Sequence, residues 1–387
     1  MMATLKHRLA VAARRRAEPV RYRLANLAVS TAARAGGGRP TRLLLVSDGL
    51  VLTSEQQFAP FTRFAGALRR DMRLVTRFMG VADAARAPAS YFARFDVVGL
   101  KVSFRADVAA SLDLARSIRR AIDGTATRLF YFDGDDDLNV QHVDLLALSD
   151  VYVKKHAYRD RADYAVARIG KSNLTDFVAR EHGRSFADNE IPSTPALDPA
   201  LVDRIAVGWN IGLDDKIADL AATLPPPSSA PRPVDACSRA VTAPESWIYP
   251  LRHPVAEALE GMKDRFRVLV PHGRVGQEEY YAELRRSTIC VSPFGYGELC
   301  WRDFEAVLCG CLLVKPDMGH VETAPDIFVP GVTYAPVRWD YADLEDVCAR
   351  YLSDHEGRRR IVERAHAVLT ESLTAEWFMA RLRAVLA

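Results

Sequence analysis

The chain is predicted to fold as an α/β protein with two parallel-sheet domains and a cleft between them. Three observations carry this. Apolar runs of strand length alternate with stretches of helical spacing on both sides of residue 224, the pattern of parallel sheets covered by helices on both faces. The segment LPPPSSAPRP at 224–233 can continue neither a helix nor a sheet interior and reads as a stiff connection. A length of 387 residues also exceeds what one hydrophobic core usually serves.

In the first domain, assigned to residues 41–223, RLLLVS (42–47) reads as a buried strand, with Asp48 and Gly49 forming the turn beyond it. Helical material follows at 58–70, then strands at 96–102 (DVVGLKV), 128–133 (RLFYFD) and 150–155 (DVYVKK). Val108, Leu112, Leu114, Ala115 and Ile118 give residues 107–122 helical spacing. The second domain, 234–374, opens with VDACSRAV (234–241) and continues with a helix near 255–262, RVLV (267–270) and a helix near 278–286. Residues 375–387 form an amphipathic helix expected to pack back on the first domain.

Composition narrows the class. With 49% apolar and 26% charged residues the chain is globular rather than disordered, and no apolar run reaches the length of a membrane span. Cys237, Cys290, Cys300, Cys309, Cys311 and Cys348 form no CxxC pair and sit mostly in apolar runs, as small core residues of a reducing compartment do. A cytoplasmic location is expected, and no metal site. The net charge of +3 hides a leader, residues 1–40, with nine Lys or Arg against the single acid Glu18. A segment so basic could make peripheral contact with an anionic inner-membrane surface, bind nucleic acid or serve as an organelle transit peptide; a solvated, partly helical tail ending at the glycines 36–38 is the alternative. Tyr22 is its only aromatic, so base stacking, and with it a nucleic-acid partner, finds no support.

The densest motif is TICVSPFGYGELCWRDFEAVLCGCLLVK at 288–315, which reads as strand, glycine turn, helix and strand. Gly295 and Gly297 let the backbone turn tightly or approach a ligand, and a helix expected from about Glu298 aims its first amides at the turn. Those amides and the helix dipole favour an anion. Arg302 and Glu305 lie one helical turn apart; a guanidinium fork suits a diphosphate and a carboxylate suits sugar hydroxyls. A plain βαβ unit in which Arg302 and Glu305 pair with each other is the alternative.

SPFGYGE (292–298), WRDFEAVLCGCLLVKPD (301–317) and, more loosely, PDIFVPGVTY (325–334) resemble the donor-binding half of GT-B glycosyltransferases, nearest to exostosin-like and group-1-like bacterial enzymes of surface-polysaccharide synthesis. The match is firm over about 267–340. The resemblance implies two Rossmann-like lobes with an interdomain cleft. It implies that Glu305 contacts ribose or sugar hydroxyls of a nucleotide-sugar donor, and that Arg302 and the amides of Gly295, Tyr296, Gly297 and Glu298 hold its diphosphate. It also implies that Arg239 or Arg252, following the first strand of the second lobe, assists the leaving group; a surface salt bridge is the alternative for each. Gly297, not Glu298, stands eight positions before Glu305, so the two-glutamate spacing of retaining group-1 enzymes is absent and the match moves toward the exostosin type.

An inverting transfer needs a base from the first lobe. Asp48, at the end of the first strand, is the first candidate. Asp133, in FDGDDD (132–137), is the second, and Asp135 beside it could share that role or help hold a divalent ion; His142 and His156 are weaker. A turn or cap role for Asp48 and a solvated turn for FDGDDD are the structural alternatives. KKHAYRDRADY (154–164) could face an anionic acceptor or form a charged surface helix, and Trp209 in GWNIGLDD (208–215) could stack on a sugar or pack in the core. The expected activity is metal-independent transfer from a nucleotide sugar, a substrate rather than a cofactor, to a glycan or lipid-linked acceptor. The alternatives are a sugar-nucleotide epimerase and a non-catalytic nucleotide-sugar-binding protein of the same fold.

Overall fold

The computed structural model describes residues 39–49, 56–103, 106–186, 191–228, 230–240, 242–270, 273 and 275–387. Most of the basic leader, residues 1–38, lies outside them.

The first lobe is built on a six-stranded parallel sheet in the order β2-β1-β3-β4-β5-β7. Its strands are β1 (Thr41–Ser47), β2 (Leu74–Gly80), β3 (Val97–Lys101), β4 (Arg128–Asp133), β5 (Val151–Lys154) and β7 (Ile205–Val207). The second lobe carries a five-stranded parallel sheet in the order β13-β11-β10-β8-β9. These strands are β8 (Val234–Cys237), β9 (Val268–Leu269), β10 (Ser287–Val291), β11 (Leu312–Pro316) and β13 (Ala335–Val337). Strand β3 is buried at every position, as a strand covered on both faces must be. Two Rossmann-like lobes in the GT-B arrangement result.

In each sheet the strand order reverses once, between β1 and β3 and between β8 and β10. These are the topological switch points at whose carboxyl edges open α/β sheets leave a crevice. The two carboxyl edges meet. The chain just after β4 touches the chain after β10, where a Cβ added to Gly297 would lie 1.7 Å from the Asp136 carbonyl oxygen. A separate antiparallel ladder joins β6 (His156–Tyr158) of the first lobe to β12 (Val321–Thr323) of the second. Beside it Asn210 donates its backbone N–H to Ala324 (2.7 Å) and its side-chain amide to Thr323 (2.8 Å) and Pro325 (2.9 Å).

Residues 224–228 and 230–233 adopt neither helix nor strand. The helix Ala375–Leu386 returns to the first lobe, where Phe378, Met379 and Leu382 are buried with Phe61 and Trp209. Arg381 ties it down by donating to the Gly208 carbonyl (2.8 Å).

Several local expectations are corrected. Strands β2 and β7 were not anticipated. The first has a charged residue inside it, Arg77, and the second spans only three residues, too short for a period to show. Residues 154–164 form no surface helix: Lys154, Lys155 and His156 are buried at the end of β5 and in β6, and only 161–165 make a short 3-10 turn. The helix of the densest motif begins at Trp301 rather than near Glu298.

Candidate active site

Strand β10 ends at Val291 and its chain turns through residues 292–300 into the helix Trp301–Leu308. The helix starts late because Asp303 caps it, accepting the Cys300 amide at 2.9 Å. Gly297 is required by the contact with Asp136, whose backbone leaves no room for a Cβ. Tyr296 is exposed at the tip of the turn, at 52%. Among the described residues, none of the backbone N–H groups of 294–299 finds an internal acceptor, although Gly295, Gly297 and Glu298 are buried. Successive backbone N–H groups without an internal acceptor are donors suited to an anion.

Two guanidiniums converge on this turn. Arg302 donates through Nε to Ser292 Oγ (2.9 Å) and through Nη2 to the Pro293 carbonyl (2.7 Å). Arg252, from the helix Tyr249–Gly261, donates through Nε to the Phe294 carbonyl (2.9 Å) and lies 5.5 Å from the Tyr296 ring centre. Burial and then the Arg302 charge lower the pKa of Arg252. Among the described residues neither guanidinium has a carboxylate within ion-pair distance. The Arg302 pKa is raised instead: burial acts to lower it, but Cys300, Tyr280 and Asp303 outweigh that, so both side chains stay charged beside the turn. Arg252 also lines a cavity of about 160 Å³ at the carboxyl end of β8, with Ser238, Thr242, Tyr249 and His253. Ser238 is 2% exposed and its hydroxyl has no partner there. Turn and cavity flank the β8/β10 switch point.

The other residues singled out from the sequence are more engaged. Arg239 forms a two-pronged pair with Glu283 (2.7 and 2.5 Å) and donates to the Gly273 carbonyl (2.9 Å). Glu305 does not pair with Arg302. Its Oε1 accepts from Tyr281 (3.0 Å) and meets Lys216 Nζ of the first lobe at 2.6 Å, while Lys216 also sits 4.2 Å over the Trp301 ring. Glu298 is wholly buried and turned inward, 3.5 Å from His156 Nε2 and 3.9 Å from His320 Nε2, with neither carboxylate oxygen hydrogen-bonded. Burial pushes its pKa up, but the two imidazoles prevail and hold it at about 2.

In the first lobe Asp48 stands at the β1/β3 switch point and accepts the Ser103 amide at 2.7 Å. Asp133 is buried in an ion pair with Lys154 (2.5 Å), which also donates to the Asn139 carbonyl (3.0 Å). Burial acts to raise the Asp133 pKa, yet Lys154 lowers it. FDGDDD is thus only partly solvated: Asp133 and Asp137 are buried, while Asp136 is exposed. Asp136 meets Lys155 (2.7 Å), and Asp137, 3% exposed, meets Lys171 (3.1 Å). Trp209 is a core residue, packed on Phe61 and Phe378 and donating to the Gln57 carbonyl at 2.9 Å. His142 lines a small hollow beside Ser103 and Ser111.

Two residues under the turn escaped the sequence reading, Asp303 and Lys315. Both are fully buried, with Lys315 Nζ 3.2 Å from the Asp303 carboxylate. An acid three positions after a helix cap is the one local signal that pointed to Asp303.

Among the solved structures that the chain resembles at low identity are the three that follow. An alpha-glucosyltransferase in complex with UDP-glucose and DNA containing an abasic site is 10% identical, over 91% of this chain and 100% of that one, with a TM-score of 0.47. A glycosyltransferase from Rickettsia africae is 11% identical, over 90% and 98%, with a TM-score of 0.47. The Anabaena protein HepE in complex with UDP-glucose is 11% identical, over 89% and 99%, with a TM-score of 0.42. No curated protein matches the chain. Residues 251–384, which include Arg252, the glycine turn and the helix bearing Arg302 and Glu305, match the family model described as glycosyl transferase-like.

Proposed function

We propose that this protein is a metal-independent, inverting glycosyltransferase of the exostosin-like kind. It moves a sugar from a nucleotide-sugar donor to a glycan or lipid-linked acceptor in surface-polysaccharide synthesis. One observation carries the reading: Arg252 and Arg302 converge, without a carboxylate, on a turn of unsatisfied amides at a switch point. The family match over 251–384 supports the same reaction class.

The acceptor hydroxyl attacks the anomeric carbon, its proton passes to a base, and the bond to the diphosphate breaks with negative charge gathering on the leaving oxygens. The two guanidiniums and the 294–299 amides lie where that charge develops, stabilising it without reorganisation. Asp48, at the facing switch point, is the base we favour; Asp133 and Arg239, each in a short ion pair, act as supports. Glu305, with Tyr281 on the same oxygen, offers acceptors to ribose or sugar hydroxyls. The basic leader is assigned to contact with an anionic membrane surface. Among the described residues no helix is long and apolar enough to cross a membrane.

The test is a panel of nucleoside diphosphates and nucleotide sugars against the full chain, read by melting temperature and by mass spectrometry of donor turnover. At least one nucleotide should raise the melting temperature, and the double variant R252A/R302A should abolish the shift. If no nucleotide shifts it, the reading fails. Interconversion of the donor sugar without an acceptor would mark an epimerase, and binding without turnover under all acceptors a non-catalytic protein. D48N should retain nucleotide binding and lose transfer.

A further inference from the structure

The turn contains a hydroxyl and a carboxylate whose arrangement goes beyond packing. Ser292 is fully buried, and its single hydroxyl proton is committed to Asp303 Oδ1 at 2.5 Å. Its oxygen is left as an acceptor, which receives Arg302 Nε–H at 2.9 Å, with Cys300 Sγ 3.6 Å away. Asp303 is in turn neutralised by buried Lys315 (3.2 Å), which also reaches the Ser292 carbonyl at 3.5 Å.

Two consequences follow. Asp303 takes Lys315 as its ion-pair partner, so among the described residues Arg302 forms no direct ion pair and is held to Asp303 only through the Ser292 hydroxyl. A direct Arg302–Asp303 pair would have quenched the guanidinium charge; the intervening serine prevents this while still fixing the side chain. Arg302 has five N–H donors, and Ser292 and the Pro293 carbonyl take two of them. The remaining three, all on the terminal nitrogens, have no partner among the described residues and lie in a plane fixed by the other two.

We propose that Ser292 and Asp303 are positioning residues. They form a relay that orients the Arg302 guanidinium for a diphosphate that neither of them touches. The proposal rests on the reading of the turn as an anion site and adds the residues on which its affinity depends.

The experiment measures binding of inorganic pyrophosphate to the full chain by calorimetry, for the wild type, S292A, R302A, R252A and the doubles S292A/R302A and S292A/R252A. Melting temperatures of the ligand-free proteins are recorded alongside. Loss of a charge-assisted hydrogen bond that orients the ligand-binding group should weaken pyrophosphate binding about tenfold in S292A. The relay predicts that S292A/R302A binds no worse than R302A alone, whereas S292A and R252A losses multiply. A purely structural serine would lower the melting temperature and give the same fractional loss with or without Arg302, which would overturn the relay. If S292A does not fold, S292C, which keeps size but is a poor acceptor, should show an intermediate loss that likewise vanishes in the R302A background; an unchanged affinity in S292C would refute it. If the wild type binds no pyrophosphate, the anion site itself falls and the relay with it. If it binds and R302A loses binding while S292A does not, the site stands and the relay is wrong.

Discussion

Replacing Gly297 by alanine tests how the two lobes meet. The added Cβ would lie 1.7 Å from the Asp136 carbonyl oxygen and 2.6 Å from its carbonyl carbon, far inside contact distance. Both are backbone atoms, so no rotamer change relieves the clash, and the turn and the acidic loop must move apart. Overpacking in a well-filled site costs about 1–3 kcal/mol, and a collision with backbone belongs at the upper end. A loss of about 3 kcal/mol lowers the melting temperature of a chain this size by several degrees. Gly295 supplies the control. A Cβ there would sit 3.2 Å from Cys300 Cβ, a distance relieved by a shift of a few tenths of an ångström, and G295A should cost less than half as much. The assay is thermal unfolding of both variants, with hydrogen exchange of residues 133–137 and 292–300. If G297A melts with the wild type and exchange at both segments is unchanged, the close approach of the lobes is wrong.

Four further outcomes are expected. Asp133→Asn should destabilise the fold by about 3–5 kcal/mol, because it strands Lys154 as an uncompensated buried charge, and urea unfolding measures this. Leu382→Ala, at a position 1% exposed, should cost about 2–5 kcal/mol and release the C-terminal helix to proteolysis. Burial raises the Asp137 pKa from 3.8 to about 7 despite Lys171. The folded protein therefore keeps that proton longer than the unfolded chain. Its stabilising contribution is complete below about pH 4 and lost as pH rises through about 7, with a slope of at most about 1.4 kcal/mol per pH unit that D137N should flatten. Lys216→Met should weaken nucleotide binding at most modestly while raising the mobility of Glu305, seen as faster exchange in the 301–308 helix.

The parts of this molecule read correctly from sequence are those governed by near neighbours. Alternating apolar periods announced the parallel sheets, and Gly295 and Gly297 marked the turn after β10, where Gly297 meets the Asp136 backbone too closely for any Cβ. What could not be read was the choice of charge partner. Arg302 and Glu305 sit one turn apart, yet Glu305 takes Lys216, 89 positions away, and Arg302 takes a serine ten positions back. Asp133 and Arg239 present ordinary spacings and are committed to Lys154 and Glu283. Such pairings depend on which elements pack together, information that no local period contains. Arg252 was legible as a basic residue after the first strand of the second lobe, but its approach to the turn depends on how the 249–261 helix is docked.

The β6–β12 ladder constrains how the halves can part. Three residues from each side are in register across it, so sliding one half past the other would break the backbone pairing of Val321 with Tyr158 and of Thr323 with His156. With the hydrogen bonds of Asn210 to Thr323, Ala324 and Pro325 beside it, the ladder staples the two lobes in a single register, so the carboxyl edges of the two sheets are presented to each other at fixed positions along it.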